Sequence, residues 1–175
     1  MKKLMQTPSA LLLCAVVVQA SLVTPSIASD KKIVGGGVCQ PENPQEDSAN
    51  LRYFARGVQA IGKDVLVNCY ITRDNSTSKL RSINVRYQRS FDPIPQGQPK
   101  FSGTFTGTIF SCGNLDIGNP CTGKSGESPP GGNDPTSVHI TVGNSLPHDD
   151  NRYYVYKSKI PEGTVLKSLT YVEED

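Results

Sequence analysis

The chain has 175 residues, with 18 Lys and Arg against 16 Asp and Glu, five cysteines and no tryptophan. Setting aside Lys2 and Lys3 of the leader described next leaves 16 basic against 16 acidic residues, which excludes a basic footprint for nucleic acid or an anionic membrane at the level of net charge, and the local cluster Arg81, Arg86, Arg89 and Lys100 reads first as a solvated strand face, with a basic patch as the alternative. The length suits one domain with a substantial core and is too short for two ordinary ones.

The chain opens Met1-Lys2-Lys3, a short positive start. Ala10 to Ala20 follow as an apolar run too short to span a bilayer. Ser26-Ile27-Ala28 then places small residues where a signal peptidase reads. These features predict a secretory signal peptide over residues 1–28, cleaved after Ala28. The product is expected to be secreted, extracellular or periplasmic, with no membrane insertion after cleavage. Cys14 leaves with the leader. Cys39, Cys69, Cys112 and Cys121 remain, and an even number in an exported chain reads as two disulfides with three possible pairings. Cys112–Cys121 is favoured because it closes a Gly-, Asn- and Pro-rich loop, which leaves Cys39–Cys69. No Cys-x-x-Cys pair supports zinc.

Residues 29–37 read as a flexible N-terminal arm and 38–175 as the folded domain. Lys32-Ile33-Val34-Gly35-Gly36 looks like the activation sequence of a trypsin-like zymogen, but no segment supplies the nucleophile and base such a site needs. Arg52–Ile61 reads as a strand, joined by a Gly62-Lys63 turn to Asp64–Thr72. In that second run Val65, Val67, Cys69 and Ile71 share one phase, and Leu66, Asn68 and Tyr70 the other. This alternation marks a half-buried strand near the middle of a sheet. Leu80–Gln88 alternates Ile83, Val85 and Tyr87 against Ser82, Asn84 and Arg86. Phe101–Cys112 is Thr- and Phe-rich, with Gly103 and Gly107 as marks of bulges or close packing. Gly113 to Asp134 consists almost wholly of turn-forming residues. Thr136–Val142, Tyr153–Ile160 and Val165–Val172 complete the strands, the last two pairing around Pro161-Glu162-Gly163. No helical period persists over three turns. The expected fold is therefore all-β: a single antiparallel β-sandwich, Ig-like or jelly-roll-like and stabilised by disulfides.

Several of these motifs recur together in a known group. Cys39 precedes Val67-Asn68-Cys69 and Arg73-Asp74. Ser111-Cys112 closes a later strand, and Tyr153-Tyr154, Pro161 and Val172-Glu173-Glu174 end the chain. In this layout the chain resembles a family of small exported bacterial proteins of uncharacterised function. The resemblance implies a disulfide-bonded β-sandwich and no particular activity. Ser158 stands where the layout has a Cys before the final turn, so either Cys121 substitutes as the partner of Cys112 or the pairing differs.

Only His139 and His148 offer a base near neutral pH. His139 is out of phase with Val138 and Ile140 and should point away from the core. Two oxygen-rich loops, Asn114–Asn119 and Leu146–Asn151, are alternatives for calcium, but Asp, Asn and Gly also simply make turns. No cofactor is expected. A neutral, Tyr-bearing sandwich without a recognisable catalytic set predicts an exported non-catalytic binding or interaction protein. Its partner would be a glycan or a protein surface, not nucleic acid. The candidate ligand-binding residues are Asn114, Asp116, Asn119 and Asn133 in the long segment Gly113–Pro135, with Tyr154 and Tyr156 as an exposed aromatic pair. The alternative is a small secreted hydrolase using His139 or His148 with a carboxylate. That requires a His within hydrogen-bond reach of an acid and a hydroxyl.

Overall fold

The computed structural model describes residues 29–73, 78–89, 104–113, 121–129, 135–148 and 152–174. The expected signal peptide, residues 1–28, lies outside the described residues. Eleven strands are present among those described: β1 (Ser29–Gly35), β2 (Cys39–Pro41), β3 (Leu51–Phe54), β4 (Gly57–Ala60), β5 (Val65–Ile71), β6 (Lys79–Gln88), β7 (Thr106–Gly113), β8 (Thr122–Glu127), β9 (Thr136–Thr141), β10 (Arg152–Ile160) and β11 (Val165–Glu174). They form two antiparallel sheets. The five-stranded sheet runs β2-β5-β10-β7-β8, and the six-stranded sheet runs β3-β4-β11-β6-β9 with β1 also paired to β11. The chain folds as the all-β sandwich that its alternating runs predict.

The alternation decides which side chains enter the core. In β5, Val65, Val67, Cys69 and Ile71 are buried, while Leu66 and Tyr70 face solvent. In β6, Ile83, Val85 and Tyr87 are fully buried and the alternate residues Ser82, Asn84 and Arg86 are not. Val138 and Ile140 of β9 and Leu166, Leu169 and Tyr171 of β11 complete the layer from the six-stranded sheet. Each such aliphatic side chain contributes about 1.5–3 kcal/mol on burial.

Tyrosine hydroxyls join the sheets across this core. Tyr87 of β6 meets Tyr156 of β10 at 2.8 Å and Ser158 of the same strand at 2.7 Å. The Ser158 hydroxyl also donates to the Thr106 carbonyl at 2.9 Å. Tyr171 of β11 donates to the Thr72 carbonyl just past β5. A buried phenol needs such a partner, because an unsatisfied hydroxyl would cost about 1–3 kcal/mol. Gly107 of β7 lets the network form: a Cβ there would fall 1.9 Å from the Tyr156 hydroxyl oxygen. Burial pushes the Tyr156 phenol up to about 12, against smaller lowering effects from its bonds to Tyr87 and Ser158. Burial also raises Tyr87 well above the ordinary tyrosine value.

Several sequence expectations are corrected. The segment read as a flexible arm forms β1, whose seven residues pair with Gly35↔Ser168 through Ser29↔Glu174 on β11. Its polar sequence gives no burial signal. The strand is held by the free edge of β11 and by Lys32, whose ammonium meets Glu173 at 2.7 Å. Glu173 is itself buried, so the pair stands largely out of water.

The run 52–61 is a tight hairpin, β3 and β4 pairing from Leu51↔Ala60 to Phe54↔Gly57. Gly57 adopts a positive φ of 156°, and a Cβ there would lie 2.5 Å from the Leu166 carbonyl oxygen. The expected Gly62-Lys63 and Pro161-Glu162-Gly163 hairpins instead pass the chain between sheets, since β4 and β11 belong to one and β5 and β10 to the other. Strand β5 lies second from an edge, and β10 holds the centre. Part of the expected loop Gly113–Pro135 is the edge strand β8, paired from Thr106↔Glu127 to Ser111↔Thr122 on β7. The exposed edge of β7 recruits it, although its sequence carries no apolar alternation. Among the described residues one short α-helix, Pro44–Asp47, and two single 3-10 turns, Gly36–Val38 and Ser48–Asn50, lie between the strands.

Candidate functional site

Four adjacent strands of the six-stranded sheet bring their outward phases into register. Lys31 on β1 stands opposite Val172 on β11, which stands opposite Ser82 on β6, itself opposite Thr141 on β9. The next row is Ile33, Thr170, Asn84 and His139. The third is Gly35, Ser168, Arg86 and Ser137. At ordinary strand and residue spacings this lattice covers about 14 by 14 Å. Its outer side is a depression of about 720 Å³ lined by eleven residues including Pro135.

The chemistry of the depression is narrow. Its floor is hydroxyl and amide: Ser82, Asn84, Ser137, Ser168 and Thr170, all partly exposed. Ile33 adds an apolar surface at 68% exposure. Lys31 and Arg86 supply positive charge, and neither is ion-paired among the described residues. No described lining residue is a carboxylate. Glu174, at the next outward position of β11, is already paired with Arg81. His139 is exposed on this face, as its phase predicts, and its Nε2 lies 3.3 Å from the Thr141 hydroxyl. The hydrolase arrangement calls for a histidine with both a hydroxyl and an acid. His139 meets the hydroxyl and, among the described lining residues, no acid. His148 is exposed, and Asp149 and Asp150 beside it lie outside the described residues.

The outer face of the five-stranded sheet has a different character. Tyr70 of β5, Val155 of β10 and Phe110 of β7 stand in one row, with Gly123 of β8 at its end. Tyr153 lies two residues along β10 from Val155 on the same side. Tyr70 is 55% and Tyr153 40% exposed. The Phe110 ring occupies the space that a side chain at position 123 would take, 2.7 Å from the ideal Cβ.

Tyr154 and Tyr156 are not the exposed pair that the sequence suggests. They are 1% and 0% exposed and face the core. The even phase of β10 is its inner phase, because β10 is the central strand of its sheet and Tyr156 must reach Tyr87. Asn114, Asp116, Asn119 and Asn133 lie outside the described residues, as do the calcium loop 114–119 and the part 149–151 of the loop Leu146–Asn151 that carries its acids. Among the described residues no group of three or more His, Cys, Asp or Glu could hold a metal ion.

The structure pairs Cys39 with Cys69 and Cys112 with Cys121, the two pairs favoured above. The motif residues also acquire structural roles. Arg73 donates to the carbonyls of Arg152 and Ser78, each at 3.0 Å, and stacks 5.5 Å from the Tyr154 ring centre. Glu173 anchors Lys32. Of the lattice residues the sequence singles out only Arg86 and His139, each on its own, and the others escape it because each is an ordinary position in its own strand. Only the outward phase was visible, and not which strands would be neighbours.

Comparison with protein-family models, with curated proteins and with solved structures finds no match to this chain. No helix among the described residues is long and apolar enough to cross a membrane.

Proposed function

We propose that this is an exported, non-catalytic binding protein that takes a glycan or a protein surface on the outer face of its six-stranded sheet. The observation that carries the reading is the lattice: three registered rows of hydroxyl, amide and cationic side chains over four strands, forming one open depression. Rigid strands hold these groups in place, so little ordering entropy is lost when a ligand binds. The depression is wide and open, which suits an extended ligand better than a small enclosed one. Two disulfides support export, because such bonds persist in oxidising compartments. In the same reading the chain belongs among the small exported bacterial β-sandwich proteins whose motif layout it resembles.

The test fills the depression. Ser168→Trp and Thr170→Trp point outward from β11 and should leave thermal stability within about 0.5 kcal/mol. The full chain is expressed, and the purified protein is screened against a glycan array and against envelope extracts. Ligands of the unmodified protein are expected to be lost from both variants. Ligands retained equally by both would move the site elsewhere.

A further inference from the structure

We infer that the depression on the six-stranded sheet binds a linear polysaccharide carrying repeated negative charges, carboxylate or sulfate. The inference rests on the binding reading above and specifies its ligand. Three observations lead to it.

The first is charge. Lys31 and Arg86 project into the depression without an acidic partner among the described residues, and no described lining residue is acidic. Elsewhere on the protein some cations are neutralised locally, while Arg52, Arg56, Lys79 and Lys124 have no ion pair among the described residues. Lys63 pairs with Asp47, Lys157 with Glu42, Lys159 with Asp64 and Arg81 with Glu174. Asp30, the acid nearest Lys31 in sequence, stands in the alternate phase of β1. Lys31 and Arg86 are set apart because both line one depression that no described acid enters, so positive charge is gathered there for an incoming anion.

The second is spacing. Lys31 and Arg86 stand two strands and two rows apart, so their backbones are about 17 Å apart along the lattice diagonal. A single small anion would reach both only if both long side chains lay flat across Thr170 and Asn84. A chain with charges at intervals meets both in extended form. Charge-assisted bonds of this kind are about twice as strong as neutral ones.

The third is the floor. Between the two cations lie Thr170, Asn84, Ser82 and Ser168, which can donate to and accept from sugar hydroxyls. Ile33 offers an apolar surface to a ring face. The described lining residues include no Phe, Tyr or Trp, and His139 is the one aromatic ring among them, too little for a run of stacked bases. Single-stranded nucleic acid is held by stacking bases on aromatic rings in a basic groove, so the floor favours a sugar chain over a nucleic acid.

The experiment uses polygalacturonate, dextran sulfate, neutral dextran and a single-stranded oligothymidylate as immobilised probes. The protein expressed from the full chain is passed over each. Retention is expected on polygalacturonate or dextran sulfate and not on dextran. It should weaken when salt is raised from about 0.02 M to about 0.3 M, as the Debye length shortens. Lys31→Gln and Arg86→Gln should each weaken retention about tenfold, the loss of one charge-assisted contact. Lys31→Arg should retain binding. All three point outward, and a melting curve matching the unmodified protein confirms that the fold is intact. Stronger retention on oligothymidylate would overturn the glycan assignment. Equal retention on dextran, lost in Thr170→Trp but not in Arg86→Gln, would overturn the anionic inference while leaving the site in place. Polyanion binding lost in Tyr70→Ser but not in the lattice variants would overturn both. No retention on either anionic glycan overturns the inference and leaves the broader reading to its own screen.

Discussion

The two sheets hold their edges by different means. In the five-stranded sheet both edges carry a covalent staple. Cys39 of β2 is joined to Cys69 of β5, and Cys121, which opens β8, is joined to Cys112 of β7. Neither disulfide links a strand of the six-stranded sheet. The reason lies in the edge strands themselves. Strand β2 is only Cys-Gln-Pro, and β8 is Thr-Gly-Lys-Ser-Gly-Glu without one apolar side chain. Strand β8 buries no side chain, and β2 is only three residues long, with Cys39 and Pro41 its buried positions. In the other sheet, the edge strand β9 buries Val138 and Ile140, and β1 has the Lys32–Glu173 pair. The crosslinks stand on two edges where few side chains do the holding.

The outer faces differ in the same way. The five-stranded sheet shows Tyr70, Tyr153 and Phe110 to its outer side, and the six-stranded sheet shows serine, threonine, asparagine and unpaired cations. One architecture thus presents two surfaces of unlike chemistry, back to back.

Removing the staples tests the contrast most strongly. The double variant Cys39→Ser, Cys69→Ser opens a link between residues 30 apart, with both sulfurs buried. Thermal unfolding should show a loss of about 3–4 kcal/mol. Cys112→Ser with Cys121→Ser opens a link between residues 9 apart, and the loss should be smaller, about 2.5–3 kcal/mol. Cys121 is exposed, so mild reductant should open this link first. A larger loss from the shorter link would mean that β8 contributes more to the sheet than its sequence suggests.

The junction between the sheets is the next place to press. Tyr87→Phe deletes the hydroxyl shared with Tyr156 and Ser158. The cost should be about 1–3 kcal/mol, because two buried hydroxyls lose a partner. The urea midpoint should fall with an unchanged slope. An unchanged midpoint would show that packing alone joins the layers.

Alkali reads the same junction more gently. Burial raises the Tyr156 phenol to about 12 and Tyr87 well above its ordinary value. The folded state holds these protons to higher pH than the unfolded chain does. Stability is therefore fully present below about pH 10 and falls as pH rises from there towards 12, by on the order of 1 kcal/mol per pH unit for each phenol. Denaturation midpoints taken between pH 8 and pH 11 check the sign. Tyr87→Phe should flatten the decline, and a decline of equal slope would place the effect on other groups.

What the sequence determined by itself was the inner and outer phase of its regular strands. Val65, Val67, Cys69 and Ile71 had to lie together because strand side chains alternate, and burial of that phase is large enough to fix register. The placement of His139 on the outside followed from the same rule. The rule failed where the alternation was ambiguous. The run 152–156 carries tyrosine in both phases, and only the partner hydroxyl of Tyr87, 69 residues away from Tyr156, decides which tyrosines turn inward. It also failed at β1 and β8, which are strands only because β11 and β7 offer them free edges. The assembly of the candidate site belongs to the tertiary structure, although His139 stands out in the sequence by itself. Lys31, Thr170, Asn84 and His139 lie in four strands far apart in the chain, and nothing local makes them neighbours. Hydrogen bonding between β1, β11, β6 and β9 sets that order, and the sheet then gathers these separate residues into one surface.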